Sequence, residues 1–285
     1  MKRRSFLKIA GIFFATLAIV SHCCLNDEKM KRPPKKEGKI LADLHSHIGR
    51  NNALEDITKT LSWGITGLTV WQTPKDNKKV LSYEDALQLP NVREIDLGLF
   101  AEITVNGSKG YFAKVQEFES DFHILALGCH KYLPRFKDAR KAVEAIHANK
   151  GIAVLNHPCS VYIGGFKKFR LSNDADDRKI NELCEMVDEV EVFNAQNINP
   201  TLGLIIPNMK KSNEKAKVIA AAKGFNGFAS SDAHYVLKQS KIAGIYIPEE
   251  NLCIDAIKEH VKTGNFERHE QYVSRLSFIK GMMFS

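Results

Sequence analysis

The chain has 285 residues, 44% of them hydrophobic and 26% charged, which is the balance of an ordinary soluble globular protein and excludes a low-complexity chain. That length suits one α/β barrel domain better than a small module. Of the net charge of +8, half comes from Lys2, Arg3, Arg4 and Lys8; the mild excess that remains suits anionic substrates and does not argue for a nucleic-acid-binding surface. The cysteines Cys129, Cys159, Cys184 and Cys253 form no C-x-x-C pair, so zinc-finger and dithiol redox classes lack their signature.

The N-terminus reads as an address. Lys2-Arg3-Arg4-Ser5-Phe6-Leu7-Lys8 resembles the twin-arginine export motif, with Lys2 where Ser or Thr is usual. The apolar run 9–20 that follows is too short to cross a bilayer as a helix, and suits a signal-peptide core. Val20-Ser21-His22-Cys23 approximates a bacterial lipobox, with His22 where a small residue is usual. The expectation is a signal segment over 1–22 and export to the periplasm or cell envelope, with a possible membrane tether through a lipidated Cys23. Residues 23–38, rich in charge and proline, read as a flexible tether, and residues 39–285 as the folded domain.

Within that domain, strand-type apolar runs fall at 40–44, 67–71, 96–104, 123–128, 152–156, 189–193, 227–230 and 242–247. Helix-type segments lie between them. The first, 54–63, opens with Glu55 and Asp56, favourable at a helix N-terminus. The second, 137–149, spaces Ala142, Ala145, Ile146 and Ala148 along one face before Gly151. Segments 176–187, 214–223 and 252–263 follow the same pattern, the last stopped by Gly264. This alternation argues for parallel strands with crossover helices, hence an α/β barrel or a doubly wound sheet. No G-x-x-x-x-G-K-[ST] and no G-x-S-x-G occurs, so P-loop NTPase and α/β-hydrolase readings lack their motifs.

Metal-type side chains gather at the strand ends. His45 and His47 are one residue apart, so on a strand they project to one face. Glu102, His157, Asp232 and His234 also fall at C-terminal strand ends, which converge on one face of a parallel barrel. His123 falls at the start of its run, which does not fit simple convergence, and His130 lies just past the end of that run. Imidazoles with two carboxylates suit Zn²⁺, Mn²⁺ or Fe²⁺ better than Mg²⁺ or Ca²⁺.

Asp43-Leu44-His45-Ser46-His47, Glu102, His123, Asn156-His157-Pro158, Glu191-Val192-Phe193-Asn194 and Ser231-Asp232-Ala233-His234 together resemble the PHP (polymerase and histidinol phosphatase) family of metal-dependent phosphoesterases. The resemblance covers roughly residues 39–247 and implies a distorted (β/α)7 TIM-like barrel with metals at its C-terminal face. Carried over, His45, His47 and Asp232 would bind the first metal. Glu102 would bridge to the second, held by His123 and His157, and His234 would belong to a third. Glu102 and Asp232 would be the catalytic pair, while Asp43 and Glu191 would orient ligands or water. Two departures follow from the same comparison. Asn52 and Thr73 stand where the family has ligands of the third metal, so two divalent ions are expected and the third site is expected to be weak or empty.

The chemistry implied is hydrolysis of a small phosphorylated substrate by a metal-activated water. Lys167, Lys168 and Arg170, after Gly164-Gly165, are the candidate phosphate-binding residues, with Lys131 and Arg135 as further cations. Two other readings stay open: a degenerate barrel with a ligand-binding or structural role at the envelope, and a metal-dependent amide or lactone hydrolase.

Overall fold

The computed structural model describes residues 30–71, 78–162, 169–198, 209–234, 237–274 and 277–278. One mixed sheet dominates it. Its seven core strands are β1 (Lys39–His47), β2 (Ile65–Trp71), β5 (Ser108–Glu119), β6 (His123–Leu127), β7 (Ile152–Leu155), β10 (Glu189–Asn194) and β11 (Phe228–Ser230). They follow one another around the sheet as β1-β2-β5-β6-β7-β10-β11. The two ends of that run, β11 and β1, lie close together, so the sheet curls into a nearly closed barrel. Beyond β1 the sheet continues antiparallel into β13 (Gly244–Pro248) and β14 (Glu267–His269). A side ladder of β3 (Val92–Asp96) and β4 (Phe100–Val105) hangs on β5, and the short β12 (Ala233–His234) pairs with the end of β1. The strands β8 (Ser160–Tyr162) and β9 (Phe169–Leu171) form a separate hairpin.

The expectation of an all-parallel sheet is only partly met. β1/β2, β2/β5, β7/β10 and β10/β11 are parallel, but β6 is antiparallel to both its neighbours. A short turn after β5 sends β6 back down, where a parallel step would need a crossover. This reversal explains His123. The first residue of a descending strand sits at the upper end of the barrel, level with the C-terminal ends of the ascending ones. For the same reason His130, past the far end of β6, lies at the lower end.

The lower interior is apolar. Ile40, Ala42, Leu44, Ala113, Val115, Leu125, Leu127, Ile152 and Val154 pack there with Ile254, Ile257 and Val261 of the C-terminal helix, Ile254–Thr263. That helix ends on Gly264 at φ 65°, the left-handed conformation of a helix stop. Helices α1 (Leu54–Leu61) and α2 (Tyr83–Ala86) cover one outer flank of the sheet with Ile57, Leu61, Tyr83 and Ala86. Helices α3 (Ala139–Ala148), α4 (Asp174–Cys184) and α5 (Lys210–Ala222) cover another with Ala142, Ile146, Ile180, Leu183 and Ala216. Cys129, Cys159 and Cys184 are buried in that second flank as small apolar side chains.

A bulge in β1 turns its last residues inward. Against β2, Asp43 pairs with Thr66 and Ser46 with Leu68, so β1 spends three residues where β2 spends two. Leu44 therefore faces the apolar interior while His45 and His47 face it too, one level higher. Gly67 makes this possible: a Cβ there would sit 2.3 Å from the Leu44 carbonyl oxygen. The tether reading also shifts at its end. Residues 30–38 lie along the domain, with Lys36 and Lys39 paired to Glu267, Tyr246 donating to the Pro34 carbonyl at 2.5 Å and Arg32 over the Trp63 ring at 4.2 Å.

Candidate metal centre

Above the apolar layer each inward strand presents a polar residue, and these converge. His45, His47 and Asp232 offer ligand atoms within 4.8 Å of one another, and Glu117, His123 and His157 do the same. The two clusters meet at Glu117. Its Oε1 lies 3.1 Å from His123 Nδ1, 3.4 Å from His45 Nε2 and 3.6 Å from His157 Nε2, and its Oε2 lies 3.2 Å from His47 Nε2. Asp232 Oδ1 lies 3.3 Å from His45 Nε2 and 3.7 Å from His47 Nε2.

The sequence expectation named Glu102 as the bridging and catalytic carboxylate; the structure puts Glu117 between the clusters instead. The run 96–104 that reads as one strand is a hairpin, β3 and β4 joined through Leu97–Leu99. β4 runs antiparallel to β5 and pairs Glu102 with Tyr111, six residues below Glu117, or about 20 Å along the strand. There Glu102 meets Lys109 at 3.3 Å and Arg93 at 3.6 Å, ordinary rim ion pairs. Of the other named residues, His45, His47, His123, His157 and Asp232 come together. His234 sits beside them, its ring 4.9 Å from that of His47 and its Nδ1 3.4 Å from Asp232 Oδ1. Arg170 is turned onto Asp176, which caps α4, and donates to its neighbour's carbonyl, Leu171 O, at 3.1 Å. Lys167, Lys168 and Thr73 lie outside the described residues, as do Cys23 and everything before it. Asn52 donates to the Gly49 carbonyl at 2.8 Å.

The hydrogen bonds around the histidines fix what their free nitrogens can do. His47 Nδ1 lies 3.1 Å from the Thr69 carbonyl, an acceptor only, so Nδ1 carries the proton and Nε2 keeps its lone pair. His45 Nδ1 lies 3.1 Å from Glu191 Oε1 in the same way. Both Nε2 atoms are buried without a hydrogen-bond partner, and both point at carboxylates. A lone pair facing an anion in a buried site is repulsive unless a cation lies between them. Histidine held by an outer carboxylate or carbonyl is also how metal-ligating imidazoles are oriented. The residues therefore fit divalent metal ions, and a donor set of imidazoles with Glu117 and Asp232 suits Zn²⁺, Mn²⁺ or Fe²⁺.

Charge balance tells the same story without metal. Burial works against a charged His45, yet the Asp232, Glu117 and Glu191 carboxylates around it hold its pKa well above the usual value. Burial pushes His47 down to about 4, whereas His157, though burial works against its charge, is raised by its hydrogen bond to Glu117 and by the Glu191 and Asp232 carboxylates. Burial would raise Glu117, but His45 and His123 hold it well below the ordinary carboxylate range.

The outer layer is built from the same strands. Glu191 accepts from the His157 backbone N–H at 2.8 Å, from Asn194 Nδ2 at 3.1 Å and from the Ser230 hydroxyl. Asp43 accepts from Ser231 N at 3.0 Å, Ser231 Oγ at 2.5 Å and Lys241 N at 2.8 Å. These bonds clamp the turn before Asp232. Asp232 and His157 have φ of 46° and 27°, left-handed backbone that costs about 1–3 kcal/mol each in a non-glycine residue. Such strain at two candidate ligands is held in place by the surrounding hydrogen bonds.

Neither a family model nor a curated protein sequence matches the chain. Solved structures do. PsfC from Pseudomonas syringae superposes with a TM-score of 0.57 at 10% identity, over 87% of this chain and 98% of that one. A two-domain protein from Bacteroides vulgatus containing a predicted PHP-like metal-dependent phosphoesterase gives a TM-score of 0.50 at 12% identity, over 90% of this chain and 74% of that one. A lesion-specific endonuclease from Pyrococcus furiosus gives 0.48 at 14% identity, over 81% of this chain and 57% of that one. At such identities the likeness is one of fold: a mixed α/β chain whose sheet curls into a barrel, as in a protein with a PHP-like unit.

Proposed function

We propose that the chain is a metal-dependent phosphoesterase of the PHP type, hydrolysing small phosphate esters such as phosphomonoesters, nucleotides or phosphosugars. The observation that carries this reading is the pair of buried Nε2 lone pairs, on His45 and His47, aimed at carboxylates that also face His123 and His157. His45, His47 and Asp232 would hold one divalent ion, His123 and His157 a second, and Glu117 would serve both. Mn²⁺, Zn²⁺ or Fe²⁺ bound there supplies Lewis-acid polarisation of a phosphoryl oxygen and a water acidified toward neutral pH. The protein's own part is positional. Glu191 and the Thr69 carbonyl keep the two imidazoles in the tautomer that leaves Nε2 free, and Asp43 holds the Ser231–Asp232 turn. The seven strands from β1 to β11 are read as the distorted (β/α)7 barrel, with β13 and β14 as additions at its edge.

Loading metal-free protein with Mn²⁺, Zn²⁺ or Fe²⁺ and assaying nitrophenyl phosphate mono- and diesters tests the activity, with Asp232→Ala as control. Turnover by wild-type protein and loss in the variant is the expected result. Metal uptake without turnover of any phosphate ester would point instead to a binding barrel, and turnover of amides or lactones alone to the third reading. We further propose export, with Cys23 lipidated. No described helix is long and apolar enough to cross a membrane. Incorporation of labelled palmitate, abolished by Cys23→Ser, is the check.

A further inference from the structure

Trp71 is the last residue of β2 and pairs with Glu117 of β5 in a parallel register. Neighbouring positions in such a pair point to the same face, so the indole stands beside the carboxylate that joins the two clusters. Trp71 Nε1 donates to Glu117 Oε2 at 3.1 Å, and the ring lies flat on His47, 4.0 Å between centroids and 12° from parallel. On the other side of the same carboxylate, Asn156 Nδ2 donates to Glu117 Oε1 at 3.1 Å. The carboxylate accepts only, so the orientation of the Asn156 amide is fixed and its Oδ1 is left as a buried acceptor without a protein partner.

Each oxygen of Glu117 thus has its own donor. Oε2, on the side of His47, is held by Trp71; Oε1, which faces His123 and His157 and also His45 at 3.4 Å, is held by Asn156. We propose that Trp71 is a positioning residue for the His45–His47–Asp232 cluster, acting through His47, and Asn156 its counterpart for the Glu117–His123–His157 cluster. The indole sets the tilt of the His47 ring through the stack and holds Oε2 beside it, while Asn156 on Oε1 keeps the carboxylate anchored when the indole's hydrogen bond is lost. One side chain therefore sets the approach of two ligand atoms to one ion. Nothing in the strand pattern demands Trp at that position: a Phe would keep the stacking and lose the hydrogen bond. The inference rests on the two-cluster metal reading above.

The test separates the clusters and uses Co²⁺ alone as the probe. His123→Ala leaves one intact cluster and His47→Ala leaves the other. In the His123→Ala background, Trp71→Phe is expected to weaken Co²⁺ binding by about tenfold or more, the usual effect of removing an outer hydrogen bond to a ligand. In the His47→Ala background, Trp71→Phe is expected to change it by less than about twofold, while Asn156→Ala weakens it about tenfold or more. Thermal midpoints of the metal-free variants are measured alongside. A substitution that merely loosens the barrel weakens both clusters together and lowers the midpoint, and that outcome overturns the inference. Unchanged Co²⁺ affinity in both backgrounds overturns it as well, while the metal reading stands. Failure of wild-type protein to bind Co²⁺ overturns the metal reading and the inference with it.

Discussion

Glu117→Gln, set beside Glu102→Gln, decides which of two strand carboxylates carries the centre. Glu117 is buried and lies within 3.6 Å of four imidazoles. The variant keeps the shape but removes the carboxylate that faces both clusters, and its amide puts an N–H against Trp71 Nε1 or Asn156 Nδ2. Losing a ligand exceeds losing a hydrogen bond to one, so metal affinity at the Glu117–His123–His157 cluster should fall by more than the roughly 10–100-fold of the latter. Without metal, His45 loses one of the three carboxylates that hold it protonated. Breaking a buried pair in this way costs about 3–5 kcal/mol. Glu102, by contrast, meets Lys109 and Arg93, both largely exposed, and its variant should cost at most about 1 kcal/mol and leave metal content unchanged. Elemental analysis after dialysis, with chemical denaturation of the metal-free proteins, measures both. Metal lost from Glu102→Gln and retained by Glu117→Gln would refute the placement of the bridge.

Three further outcomes are expected. Glu189 is buried at the lower end of β10, and burial pushes its carboxyl up to about 7 from 4.5. Its native form is the protonated one, so stability is lost as pH rises from about 4.5 to 7; Glu189→Gln should stabilise by about 3 kcal/mol at pH 8 and by little at pH 4, read from urea midpoints. Gly67→Ala forces a Cβ into the Leu44 carbonyl, so it should flatten the β1 bulge, turn His45 and His47 away and lose metal at their cluster, with a lowered thermal midpoint; normal metal content would count against the bulge as the aiming device. Because His45 is held protonated above its usual range, metal must displace that proton, and apparent affinity should rise with pH through neutrality, with protons released on binding in a calorimeter run in buffers of different ionisation enthalpy.

The ascending strands β1, β7, β10 and β11 are legible because each couples an apolar run to a polar residue at or just past its end. His45, His47, His157 and Asp232 could be placed on that basis alone. The strand that could not be read was β5. Its residues alternate, with Phe112, Lys114, Gln116 and Phe118 outward and Ala113, Val115 and Glu117 inward, and the outward Lys114 and Gln116 dilute the apolar signal. The cue was Glu117 itself, one level above Val115 in the inward row and six residues before His123. The Phe-Ala-Glu-Ile-Thr run around Glu102 has the look of a strand end, but local sequence does not report that Leu97–Leu99 reverses the chain. His123 fits the site because β6 descends, a direction that its own apolar run does not report. Trp71, two residues before Thr73, carries no local sign of its partnership with Glu117, which arises from the β2/β5 register.

The docked stretch 30–38 is a strap along the barrel. Residues 32–38 run beside the start of β1, the end of β13 and Trp63, at the opposite pole from the histidines, while Met30 packs on the cluster of Phe193, Ala195 and Ile198 at the upper end of β10. From Met30 to Gly38 the chain therefore descends the outer wall of the barrel and ties its upper end to its lower one, so a cut in this stretch would loosen both ends at once.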